Sequence, residues 1–144
     1  LRGESDRLAL IKALKDSTLD CIATDHAPHA RDEKDLAFDI APFGMIGLQT
    51  LLPAIMKIHL EYEIDFIKLL ACVTAHPARI LGIDGGNLNA GSRADITLFD
   101  PRPEWIFTEE AVKSKSKNTP FIGEKYIGKV VQTFVEGRSV YKGS

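Results

Sequence analysis

The sequence predicts an α/β fold, and three observations carry that expectation. Apolar residues recur at helical spacing through about residue 82. Within that stretch Leu19, Cys21, Ile22 and Ala23 form a short apolar run that stops abruptly at polar residues, as a buried strand of a parallel sheet does. Beyond it, glycine-containing turns separate short strand-like runs. The texture changes at residues 83–86, so the expected units are residues 1–84 and residues 85–144.

Composition suits such a chain. Its 144 residues are 44% hydrophobic and 26% charged, with a formal net charge of −2. Those values describe a soluble globular protein rather than a disordered one. The lack of a basic excess weighs against nucleic acid as a partner. No apolar run reaches the ~18 residues that span a bilayer, and no secretory signal opens the chain. Cys21 and Cys72 lie in apolar stretches without C-x-x-C spacing. Both are expected to be buried thiols in a reducing cytoplasm.

Each element has its own signal. Ser5-Asp6 reads as a helix start, followed by Leu8, Ile11 and Leu14 at helical spacing. Residues 19–24 are the buried strand, and residues 25–42 a long polar loop of the kind that is more often functional than idle. From Gly44 to about His59 the apolar positions cover a broad helix face, with Pro53 predicting a kink. Asp65 caps a helix over residues 66–72; Thr74 caps another that tolerates Pro77 in its first turn and stops at Gly82. Residues 94–99 read as a strand, and Glu136-Gly137 as the turn of a hairpin. Trp105, Ile106 and Phe107 are expected to pack the second unit.

The chemistry concentrates in Ala23-Thr24-Asp25-His26-Ala27-Pro28-His29, with Lys34 downstream. A carboxylate at the C-terminal end of a buried strand, leading into a long loop, is where barrel enzymes place catalytic groups. Such a group can ligate a metal, relay a proton, or both. Position alone equally allows a helix cap or a turn residue.

Asp25-His26-Ala27-Pro28-His29 followed by Lys34 resembles the second signature of the dihydroorotases, members of the amidohydrolase superfamily. The resemblance runs along the chain. Leu1-Arg2 with Asp6-Arg7 resembles the helix before the last barrel strand of the class I bacterial enzymes, and Ala41-Pro42-Phe43-Gly44 their substrate-contacting loop. Thr74 with Pro77-Ala78-Arg79 and Leu81-Gly82 resembles the superfamily's closing helix, and Gly91 with Ala94-Asp95-Ile96 and Asp100 its second-domain strand. Ser114 to Phe121, reading Ser-Lys-Ser-Lys-Asn-Thr-Pro-Phe, resembles the class I tail. The first and last of these motifs are specific, whereas the helix and strand are shared by many relatives.

The resemblance implies the last strand and closing helices of a TIM-like (β/α)8 metal-dependent hydrolase barrel, then part of an appended β-sandwich. It implies reversible conversion of L-dihydroorotate to N-carbamoyl-L-aspartate in pyrimidine biosynthesis. Asp25 would be a metal ligand and the proton shuttle, His29 would bind the substrate carboxylate, and main-chain groups of Phe43 and Gly44 would grip the substrate. The cofactor would be zinc, one or two ions, with remaining ligands upstream of this chain. The missing N-terminal part of the same protein would be a partner, with aspartate transcarbamoylase a candidate second and homo-oligomers expected of the whole.

The other polar residues carry blander expectations. His26 fits a role behind the ligands or a structural one. His59 ends a helix and His76 begins one, neither with an assigned function. Arg31, Lys34, Lys113, Lys115 and Lys117 read as solvated charges. Four histidines without an H-x-H pair, and a single candidate barrel strand, are too few for a complete site or a closed barrel. The chain alone is therefore expected to be inactive. Two alternatives compete: a hydantoinase- or allantoinase-type hydrolase, which would not show Ala27-Pro28-His29 after the aspartate, and a non-catalytic scaffold for aspartate transcarbamoylase.

Overall fold

A computed structural model describes residues 2–143. Leu1, at the head of the first class I motif, lies outside the described residues, as does Ser144 at the end of the second expected unit. Five helices precede three strands: α1 (Glu4–Lys15), α2 (Arg31–Lys34), α3 (Leu51–Tyr62), α4 (Phe66–Ala71), α5 (Ala75–Leu81), β1 (Ile96–Ile106), β2 (Lys125–Val135) and β3 (Arg138–Lys142).

Local signals account for several helix ends. At α1, Gly3 is the N-cap and the Asp6 carboxylate accepts its main-chain N–H at 3.1 Å, satisfying a donor that the helix leaves orphaned. Asp65 caps α4 as expected, accepting from the Lys68 N–H at 2.8 Å. Gly82 ends α5 with φ 65°, where glycine meets no Cβ penalty. Thr74 occupies the N-cap of α5 without capping it. Its hydroxyl instead donates to the Leu70 carbonyl at 2.7 Å.

Four expectations about secondary structure are corrected. Residues 19–24 carry no strand ladder. Ladders need strands on either side, and among the described residues none runs beside this segment. It is fastened instead by the Ile22 N–H to Cys72 carbonyl bond (3.0 Å), with a lone parallel bridge between His26 and Met45 just beyond it. The helix expected from Gly44 begins only at Leu51, because Gly44 has φ 110° and the Ile46 N–H is held by the Asn118 carbonyl at 3.0 Å. Pro53 thereby falls in the first turn of α3, where a missing N–H breaks no intrahelical bond and no kink follows. The strand expected over residues 94–99 runs on to Ile106. Pro101 and Pro103 cannot donate to the ladder, and the register shifts between Asp100 and Glu104 to accommodate them.

The sheet is antiparallel in the order β1-β2-β3. Glu136 (φ 50°) and Gly137 (φ 76°) form the left-handed two-residue turn between β2 and β3. No second sheet packs on it among the described residues, and Val131, Val135 and Val140 are exposed.

Two apolar clusters hold the chain together. Leu14, Ile55, Ile64, Leu69 and Cys72 join the helices, and burial pushes the Cys72 thiol above its ordinary value. Cys21 is only half-buried, contrary to expectation. The second cluster combines Ile46 with Phe107, Val112 and Tyr126, so a residue beside the polar loop packs against the strand region. Trp105 lies edge-on to Phe107 at 6.0 Å, and burial pushes the Tyr126 hydroxyl up to about 12. Phe107 is fully buried, whereas Ile106, expected to pack with it, is 57% exposed. Burying a side chain of this size contributes about 1.5–3 kcal/mol.

Candidate active site

Asp25 stands where the chain leaves the helical core. Its φ of 47° is left-handed, a conformation that costs most non-glycine residues about 1–2 kcal/mol and that aspartate tolerates better than most. The residue is exposed, and no described residue hydrogen-bonds or ion-pairs with its carboxylate. A strained turn that presents an unpaired carboxylate is an arrangement associated with functional positions.

The next residues fold back on the chain. The His26 ring accepts the Gly47 N–H through Nδ1 at 3.1 Å, so the imidazole braces the loop from behind. The Ala27 N–H donates to the Met45 carbonyl at 2.9 Å. Two residues on, His29 Nε2 donates to the Phe43 carbonyl at 2.9 Å, while Glu33 Oε2 lies 3.4 Å from Nδ1. The Glu33 carboxylate also accepts the Ala30 N–H at 3.0 Å, at the start of α2.

Gly44 completes the arrangement. Its φ of 110° favours glycine, and a Cβ there would stand 2.5 Å from the Ala27 Cβ and 3.4 Å from His29 Nε2. Gly44→Ala is therefore expected to cost at least about 1–3 kcal/mol in backbone strain alone. Equilibrium denaturation would measure it; a wild-type midpoint would show that the approach of Gly44 to Ala27 is not required.

The structure brings His29, Phe43 and Gly44 together, and among the described residues no hydrogen bond or ion pair joins them to Asp25. The Phe43 side chain is 93% exposed, leaving its main chain as the part engaged at the site. Beside His29 and Gly44 opens a cleft of about 690 Å³, also lined by Lys34 and Asn118.

Three residues do more than the sequence suggests. Lys34, read as a solvated charge, donates through Nζ to the carbonyls of Pro42 (2.7 Å) and Gly44 (2.9 Å). Asn118 donates to the carbonyls of Ala27 (2.9 Å) and Gly44 (3.3 Å) and accepts the His29 N–H at 3.3 Å. Lys117 is likewise not merely wet, donating to the carbonyls of Glu109 and Val112 at 2.9 and 3.1 Å. Both Lys34 and Asn118 fall inside the motifs, but their acceptors are main-chain atoms that leave no side-chain signal.

The remaining histidines are structural. His59 Nδ1 donates to the Ile64 carbonyl at 2.7 Å and His76 Nδ1 to the Asp20 carbonyl at 3.0 Å. Among the described residues no group of three or more histidine, cysteine, aspartate or glutamate side chains is placed to hold a metal ion. Asp25 offers one oxygen donor of the right chemistry. Catalytic zinc takes about three protein ligands.

A family model described as the amidohydrolase family matches residues 1–140. A protein named dihydroorotase from Aquifex aeolicus is 50% identical over 142 residues, covering 99% of this chain and 33% of that protein. Another of that name from Geotalea daltonii is 46% identical, with the same coverage of each chain. The chain thus spans about a third of the length of these curated relatives. Among solved structures, a D-hydantoinase from Bacillus sp. AR9 superposes with a TM-score of 0.90 at 25% identity, over 99% of this chain and 33% of that one. A dihydropyrimidinase from Brevibacillus agri superposes with a TM-score of 0.92 at 24% identity, over 99% of this chain and 32% of that one. No helix among the described residues is long and apolar enough to cross a membrane.

Proposed function

The chain belongs to the amidohydrolase family, and on that premise we propose that it serves a dihydroorotase, which opens L-dihydroorotate to N-carbamoyl-L-aspartate, reversibly, in de novo pyrimidine biosynthesis. The observation that carries this reading is the 50% identity, over 99% of the chain, to a protein named dihydroorotase. The hydantoinase-type structures are about half as similar in sequence and speak for the fold alone.

Each site residue then has a task. Asp25 is a ligand to zinc, one or two ions, whose other ligands come from outside this chain. When bound, the metal polarises the scissile carbonyl and makes water a better nucleophile near neutral pH. The Asp25 carboxylate takes the proton of the attacking water and delivers it to the departing ring nitrogen. His29, whose Nε2 is a donor in this structure, turns that donor from the Phe43 carbonyl to the substrate carboxylate. The same motion leaves the Phe43 carbonyl available to a ring N–H, while the Gly44 main chain borders the cleft. Binding thus exchanges an internal hydrogen bond for contacts to the ligand.

Residues 1–84 form the end of the (β/α)8 barrel and residues 85–144 part of the small sandwich domain. The partners are the N-terminal barrel portion, a small-molecule substrate, further copies of the protein and, as a second protein, aspartate transcarbamoylase. Two free cysteines, one of them buried, suit the cytoplasm. The test is to assay the full-length, zinc-loaded protein on L-dihydroorotate and on a hydantoin lacking the carboxylate. Preferential turnover of dihydroorotate, abolished by chelation and restored by zinc, is expected. Turnover of the hydantoin alone would overturn the assignment.

A further inference from the structure

We propose that Asn118 is a positioning residue, a clamp that holds the His29 loop and the Phe43-Gly44 segment in the geometry that receives substrate. The clamp is a geometric observation, while its effect on catalysis rests on the dihydroorotase reading.

The carboxamide uses both donors and its acceptor on the site's main chain. Nδ2 reaches the carbonyls of Ala27 (2.9 Å) and Gly44 (3.3 Å), and Oδ1 receives the His29 N–H (3.3 Å). The residue's own carbonyl accepts the Ile46 N–H at 3.0 Å, so its main chain joins the same segment. The side-chain bonds bridge positions 74 to 91 residues away in sequence. The partners also fix how the amide must point. Two are carbonyls, which only accept, and one is an N–H, which only donates. A flipped amide, or an aspartate, would set oxygen against two carbonyl oxygens. Lys34 meets the same Gly44 carbonyl from its own loop at 2.9 Å, so three chain segments converge on one oxygen. Asn118 touches neither the His29 ring nor the Asp25 carboxylate in these contacts. It acts through the backbone that carries them.

The consequence is a particular kinetic signature. A displaced His29 loop weakens a contact made to the substrate carboxylate in ground and transition states alike, which raises KM and leaves kcat near normal. A residue needed only for folding would lower the active fraction and hence kcat, with KM unchanged.

The experiment makes Asn118→Ala and Asn118→Asp in the full-length zinc-loaded protein. It measures KM and kcat on L-dihydroorotate, and amide hydrogen exchange at Ala27, His29 and residues 44–46. The expected result is a KM raised roughly tenfold or more, as losing one or two net hydrogen bonds implies. Wild-type metal content and faster exchange confined to those two segments should accompany it. The aspartate variant keeps the size and the acceptor for His29 N–H, so it decides the matter if the alanine variant does not fold. A folded variant with wild-type KM overturns the proposal. So does unfolding of both variants, which would make Asn118 a stability residue. If the wild-type protein does not turn over dihydroorotate, the proposed function falls while the exchange measurement still judges the clamp: unchanged exchange at both segments overturns it, and faster exchange upholds it.

Discussion

Replacing His29 with alanine is expected to weaken handling of dihydroorotate far more than that of a ring without the carboxylate. Losing a charge-assisted partner to a desolvated carboxylate typically costs about 1.5–3 kcal/mol or more. That corresponds to a drop of roughly 10- to 100-fold or more in kcat/KM. For the ring without the carboxylate the structure predicts a smaller loss of its own, because nothing draws His29 off the Phe43 carbonyl. His29→Ala also removes the 2.9 Å bond to the Phe43 carbonyl, which helps to hold the 43–44 segment. The informative quantity is therefore the ratio of the two losses. Steady-state kinetics on the pair of substrates reads it directly. Equal losses would mean that His29 acts only as a loop strut, and would return the hydantoinase-type reading to contention.

How much of this was legible in the sequence divides along the range of the interaction concerned. Asp65, Gly82 and Glu136-Gly137 were readable because a cap or a two-residue turn is decided within a few positions. Residues 19–24 read as a strand from their apolar run, yet a ladder depends on neighbours that a pattern cannot supply. The apolar face continues through residues 46 and 48, so the pattern alone starts α3 seven residues early. What stops the helix there is tertiary, a carbonyl from Asn118 and a backbone approach between Gly44 and Ala27. The strand read over residues 94–99 runs on through two prolines, because a register shift accommodates them. At the site, the signature named Asp25 and His29, and the loop motif named Phe43 and Gly44. Lys34 and Asn118 escaped because both bond to carbonyl oxygens, and every residue type carries one.

Asp25→Asn should abolish activity in both directions together. Hydrolysis needs a carboxylate at this position to accept a proton, and ring closure, its microscopic reverse, needs the same group protonated. Asparagine does neither, and it ligates metal more weakly. Losing a positioned acid/base typically costs about 10²- to 10⁴-fold in rate. The backbone makes this substitution a clean one. Asp25 sits at φ 47°, and asparagine is the residue that adopts that region as readily as aspartate. An alanine would add local strain and blur the result. Because an enzyme cannot move the overall equilibrium, kcat/KM for hydrolysis and for cyclisation must fall by the same factor. Unequal losses in kcat/KM would therefore signal unmatched assay conditions or a contaminating enzyme rather than chemistry. The decisive measurement pairs both rates with the zinc content of wild type and variant. A variant that retains its metal and runs near-normal rates in either direction would show that Asp25 is not the proton shuttle, and the strained turn presenting it would need another explanation.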